Sequence, residues 1–75
     1  MVKIDVPDKA GVTPLIVAAN NGKADIVTLL GRYGANPDSK DSYGNTGLIY
    51  SCWMGYTEVA RALILSGCNI EQRDG

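Results

Sequence analysis

The sequence predicts an all-α fold, a solenoid of stacked helix-turn-helix repeats joined by hairpin-like loops. Three observations point there. The chain repeats itself with a 33-residue period, the repeated residues are those that start and stop helices, and the helical segments are too short to stand alone.

Sliding the sequence by 33 residues gives a gapless alignment. Asp5 falls on Asp38, Asp8 on Asp41 and then Asp74, Gly11 on Gly44, Thr13 on Thr46, and Leu15-Ile16 on Leu48-Ile49. Gly22 falls on Gly55, Leu30 on Leu63, Gly34 on Gly67 and Asn36 on Asn69. Ordinary composition would supply about three identities by chance over such an overlap. Near-matches such as Asp25/Glu58, Ile26/Val59 and Lys40/Arg73 keep charge or size. The repeat divides the chain into a leading tail (1–7), repeat one (8–40), repeat two (41–73) and the start of another unit (74–75).

Each unit reads the same way. Thr13-Pro14 is a helix start, with a hydroxyl at the N-cap and a proline where its missing N–H costs nothing. A short helix over Leu15–Asn21 is stopped by Gly22. A second runs over Ala24–Tyr33, with Ile26, Val27, Leu29 and Leu30 on one side and Gly34 just past its end. Residues 36–45 are rich in turn formers and form an extended, hairpin-like connector. The second unit places its helices over Leu48–Met54 and Thr57–Ser66. Two or three turns are marginal in water, so each unit needs a neighbour to cover its apolar face. Ala18 and Ala19 keep the first helix slim enough for that approach.

Composition narrows the function. The chain has 75 residues, a net charge of −1 and no histidine. A core this small buries only about 60% of the unfolded chain's surface, so stability is expected to be marginal. The seven Lys and Arg side chains are scattered, without the basic stripe that replaces phosphate counterions on nucleic acid. The run Leu15–Ala19 is too short to span a bilayer, and the N-terminus does not read as a secretory signal. No Asn-x-Ser/Thr sequon occurs. An intracellular setting, cytoplasmic or nuclear, is the expectation. Cys52 and Cys68 are too few for a disulfide framework and read as small buried thiols in a reducing compartment. Without histidine or Cys-x-x-Cys there is no zinc set, and Ser-His or Cys-His catalysis is impossible within these residues. Asp38 and Asp41 read as turn-forming carboxylates. No phosphate-binding glycine motif is present. No cofactor, metal or catalytic activity is expected.

These features resemble the ankyrin repeat family. Its signature matches Asp8-x-x-Gly11-x-Thr13-Pro14-Leu15-x-x-Ala18-Ala19-x-x-Gly22 and Ile26-Val27-x-Leu29-Leu30-x-x-x-Gly34-Ala35-Asn36. The second unit is looser but in register. Departures are Ile16 and Ile49 where the family usually has histidine, Gly47 where it has proline, and Gly31 where it favours leucine. A helix-interior glycine costs about 1 kcal/mol relative to alanine, so these changes weaken the fold without altering it.

The resemblance implies a protein-protein interaction module. Partners of the family usually meet the hairpin tips and the exposed face of each first helix, which line a concave groove. On this chain those positions are Lys9, Ala10, Val12, Asn20 and Asn21, then Ser42, Tyr43, Asn45, Trp53 and Met54, with Tyr56 just beyond. The second set is richer in groups that anchor interfaces. Trp53 reads either as the principal anchor or as a shield packed across Asn20 at the repeat junction; Tyr43 reads either as an anchor or as a cover for the hairpin. Tyr33 and Tyr50 read as structural: Tyr50 aligns with Val17 inside the unit, and Tyr33 lies near a helix end. An alternative function is a structural spacer or self-associating unit that stacks end to end, because Ile64 and Leu65 leave apolar surface without a capping pattern.

Overall fold

A computed structural model describes residues 5–67. The expectations for Cys68, for the first part of the leading tail and for the unit starting at Asp74 lie outside the described residues. Four helices follow one another: α1 (Pro14–Asn20), α2 (Ala24–Arg32), α3 (Gly47–Met54) and α4 (Thr57–Leu65). Among the described residues the one β feature is an isolated antiparallel bridge between Lys40 and Thr46, which closes the base of the connector.

The predicted starts and stops are where the sequence puts them, within a residue. Thr13 sits in extended backbone and its hydroxyl accepts from the Ile16 N–H at 3.3 Å; Thr46 does the same for Ile49 at 3.3 Å. At the other end of α1, Lys23 N–H donates to Ala18 at 2.9 Å and Gly22 N–H to Ala19 at 3.2 Å. The C-terminus of α2 closes likewise, with Ala35 N–H on Leu30 at 3.0 Å and Gly34 N–H on Gly31 at 3.1 Å. This paired closure needs a left-handed residue, and Gly22 (φ 72°) and Gly34 (φ 88°) supply it.

The repeats stack with α1 on α3 and α2 on α4. Leu15, Ala18, Ala19, Val27, Leu48, Val59 and Leu63 form one continuous core across the junction. Each fully buried aliphatic side chain there contributes about 1.5–3 kcal/mol. The family histidine positions also turn inward: Ile16 is buried and Ile49 partly so. The two odd glycines mark places of close approach. A Cβ on Gly47 would lie 3.0 Å from the Ala19 Cβ, and one on Gly31 would lie 2.8 Å from the Ser66 Oγ. Gly31 therefore lies where α2 meets the end of α4, a constraint that helix propensity alone does not reveal.

Three expectations are corrected. Ile26 and Leu29 do not share the buried stripe of α2; they are 47% and 50% exposed, while Val27 is buried. At about 3.6 residues per turn, both lie a quarter turn or more away from Val27, off the side that is buried. Val17, expected inside its unit, is 48% exposed. Cys52, expected to be buried, is exposed. It occupies the position of Ala19, which is buried beneath Gly47 and its neighbour Leu63, and among the described residues nothing covers Cys52 in that way.

Both hairpin tips are built around a carboxylate. Asp8 Oδ1 accepts from the N–H groups of Ala10 and Val12, both at 2.9 Å, and Asp41 Oδ1 accepts from Tyr43 and Asn45, both at 2.9 Å. The tips are joined by a Ser42 N–H to Ala10 carbonyl bond of 2.7 Å. Asp41 Oδ2 also accepts from the Tyr50 hydroxyl. Burial pushes the Asp41 carboxyl up, yet the Tyr50 hydroxyl and the N–H groups of Asn45 and Tyr43 outweigh it and hold the group below the usual carboxylate range.

Two outcomes follow. Gly11 and Gly55 have similar positive φ (77° and 73°), but a Cβ on Gly11 would lie 2.9 Å from the Ser42 backbone nitrogen, whereas one on Gly55 meets nothing. Gly55→Ala should cost about 1–2 kcal/mol of backbone strain in urea denaturation, and Gly11→Ala measurably more. Equal losses would show that the tips do not hold the repeats together. Because Asp41 ionises more readily folded than unfolded, it adds stability above the unfolded value of about 3.9, lost as pH falls through the lower folded value. The urea midpoint should drop on acidification from about pH 5 to pH 3, and drop less in Asp41→Asn. An undiminished drop in that variant would remove Asp41 from the account.

Candidate protein-interaction surface

On α3, positions three and four apart share a face, and Tyr50, Trp53 and Met54 stand in that relation. Trp53 is 60% and Met54 55% exposed. Tyr43, at the tip of the second hairpin, is 73% exposed. Large aromatic and thioether groups in this state are the ones from which interface anchors are drawn.

Tyr50 lies between the helix and the hairpin. Its hydroxyl donates to Asp41, which is locked into the turn, and its ring meets the Trp53 ring edge-on, with centroids 5.6 Å apart and planes at 85°. The Asp41 carboxylate raises the tyrosine's pKa against the opposing hydrogen bond from the Asn45 side chain. Hairpin, Tyr50 and Trp53 are thus one connected surface. Repeat one has the same backbone frame but places Ala10, Val17 and Asn20 where repeat two places Tyr43, Tyr50 and Trp53.

The other expected contact residues divide. Lys9, Asn20 and Asn21 are exposed, with the Asn21 amide donating to the Val17 carbonyl at 2.8 Å. Two belong to the scaffold instead. Asn45 is only 9% exposed and gives its N–H to Asp41, so its side chain offers little to a partner. Tyr56 is half-buried; its ring lies 3.2 Å from where a Cβ on Gly22 would stand, and it packs against the core. Sequence reasoning missed Tyr50 as part of the surface, because alignment with Val17 read it as an inside position. The i, i+3 relation to Trp53 was the available signal.

Trp53 keeps most of its surface free, and its ring partner is Tyr50. Among the described residues no group of three or more Cys, Asp or Glu side chains could hold a metal ion. No helix among them is long and apolar enough to cross a membrane. The arrangement can present π faces, a thioether and amides to another polypeptide.

Comparison with known proteins agrees with the repeat architecture. A family model described as ankyrin repeats (3 copies) matches residues 1–74. The chain is 40% identical over 62 residues to the probable E3 ubiquitin-protein ligase XBOS33 of Oryza sativa subsp. japonica, covering 83% of this chain and 12% of that protein. It is 35% identical over 68 residues to protein phosphatase 1 regulatory subunit 27 of Mus musculus, covering 91% of this chain and 44% of that one. It is 41% identical over 68 residues to the ARF GTPase-activating protein GIT1 of Homo sapiens, covering 91% and 8%. The chain therefore spans less than half the length of each of these relatives. With a family model spanning nearly every residue and a helical stack that repeats in register, the chain belongs to the ankyrin repeat family.

Proposed function

We propose that this chain is a protein-binding module whose recognition surface is the hairpin tip and first helix of repeat two, centred on Trp53. Ankyrin repeats are in general protein-interaction modules. The observation that carries the finer reading is the contrast between two copies of one scaffold. Where repeat one carries Ala10, Asn20 and Asn21, repeat two carries Tyr43, Trp53 and Met54, each more than half exposed. Folding does not require large aromatic or thioether groups at these positions, since repeat one folds with alanine and asparagine there. The name of one relative, a regulatory subunit, supports binding rather than catalysis. Nucleic acid and membrane are not partners in this reading, and the setting is inside the cell, where an exposed thiol such as Cys52 stays reduced.

A second reading, end-to-end association of copies, is favoured by apolar surface exposed on each of the two repeats. An open groove of about 600 Å³ lies on repeat one among Pro14, Val17, Ala18, Asn21, Lys23 and Ile26. On repeat two, Leu65 is 81% and Ile64 49% exposed.

Proteins retained by the immobilised chain should be lost by Trp53→Ala and kept by Asn20→Ala, with the helical circular dichroism unchanged in both. Full retention by Trp53→Ala would reject the recognition surface. Sedimentation over a concentration series addresses the second reading: growth beyond the monomer supports it, and a persistent monomer sinks it.

A further inference from the structure

We infer that Tyr50 is a positioning residue: held by its hydroxyl on Asp41, it presents its ring edge-on to Trp53 and fixes the indole in one pose for a partner. The inference rests on the recognition surface proposed above and adds the means by which that surface is preorganised.

An exposed tryptophan side chain normally exchanges rotamers on the picosecond-to-nanosecond scale, and stopping that motion at an interface lowers affinity. Here the restraint is already built. Asp41 is buried and cannot swing, because its Oδ1 accepts from two turn N–H groups and its own N–H donates to the Asn45 carbonyl at 3.0 Å. The second oxygen, Oδ2, is left to take the Tyr50 hydroxyl. Tyr50 is thereby tied at its far end to the hairpin and at its near end to α3. Its ring meets Trp53 at 85°, the edge-to-face arrangement that aromatic quadrupoles favour.

The first repeat shows that this linkage is an addition to the fold. Asp8 makes the same two turn bonds to Ala10 and Val12, and α1 starts from the same threonine cap. Yet Val17 stands at the Tyr50 position and Asn20 at the Trp53 position, so neither the hydroxyl bond nor the ring pair is needed to make a repeat. A tyrosine there holds what comes three residues later.

Two variants separate the parts. Tyr50→Phe keeps the ring and deletes the hydroxyl; Tyr50→Val copies repeat one and should fold as that repeat does. Trp53 is the sole tryptophan, so its fluorescence anisotropy decay reads its motion alone. Both variants should keep the helical far-ultraviolet signal and gain a fast depolarising component, larger in Tyr50→Val. Affinity for a protein selected on the wild-type chain should fall about two- to tenfold in Tyr50→Phe, the cost of ordering one more side chain. Unchanged Trp53 depolarisation in both variants overturns the positioning role, whatever the binding result. Faster depolarisation with unchanged affinity keeps the positioning role and rejects the recognition surface instead.

Discussion

The structure depends on one close approach, that of α1 to α3 across the repeat junction. Ala18 and Ala19 present almost no side chain, and Gly47 presents none, so the helices come together until a single added Cβ would be crowded at 3.0 Å. That spacing lets Leu15, Val27, Val59 and Leu63 share one interior rather than two half-filled ones. Packed interiors lose dispersion contacts steeply with small gaps, so the seam has to be tight to be useful. Neither helix pair has enough apolar surface of its own to offset the entropy of ordering. The Ser42 to Ala10 backbone bond fixes the register of the same junction at the hairpin end.

Once the junction is set, the hairpins are tied down by hydrogen bonds within the proposed recognition face. A carboxylate that accepts two backbone N–H groups turns a flexible connector into a small cage. In repeat two that cage also receives a side chain from α3, which couples loop to helix. The proposed surface therefore draws its order from backbone hydrogen bonds, and little of it from surface ion pairs. The Arg61–Glu58 pair at 3.8 Å lies on α4, exposed, and contributes little.

The period, the threonine caps and the glycine stops were legible because each is enforced by backbone geometry that a single residue type satisfies. Helix limits came within a residue for the same reason. Burial was less legible. Ile26, Leu29 and Val17 are apolar and in phase with a helix, yet a helix of two turns inside a stack has four directions to face, and periodicity names only one of them. Cys52 was misread because a small thiol resembles a core residue, and its cover depends on what lies against α3. Gly31 and Gly47 looked like losses; only coordinates show the Ser66 hydroxyl and the Ala19 methyl occupying the space. Of the surface, Tyr43, Trp53 and Met54 could be placed by register; for Tyr50 only the i, i+3 relation to Trp53 was legible, because its bond to Asp41, nine positions earlier, leaves no local pattern. Asn45 and Tyr56 were placed by register as well, but their roles were decided by the turn and by Gly22.

The carboxylate cage has a consequence for how such a chain can change. Asp8 and Asp41 hold their turns through main-chain donors, which every residue except proline supplies. The side chains at the tips are thus chemically uncommitted, as alanine in one copy and tyrosine in the other show. Variation can accumulate there without eroding the architecture, so new specificities are open to the lineage at almost no structural cost.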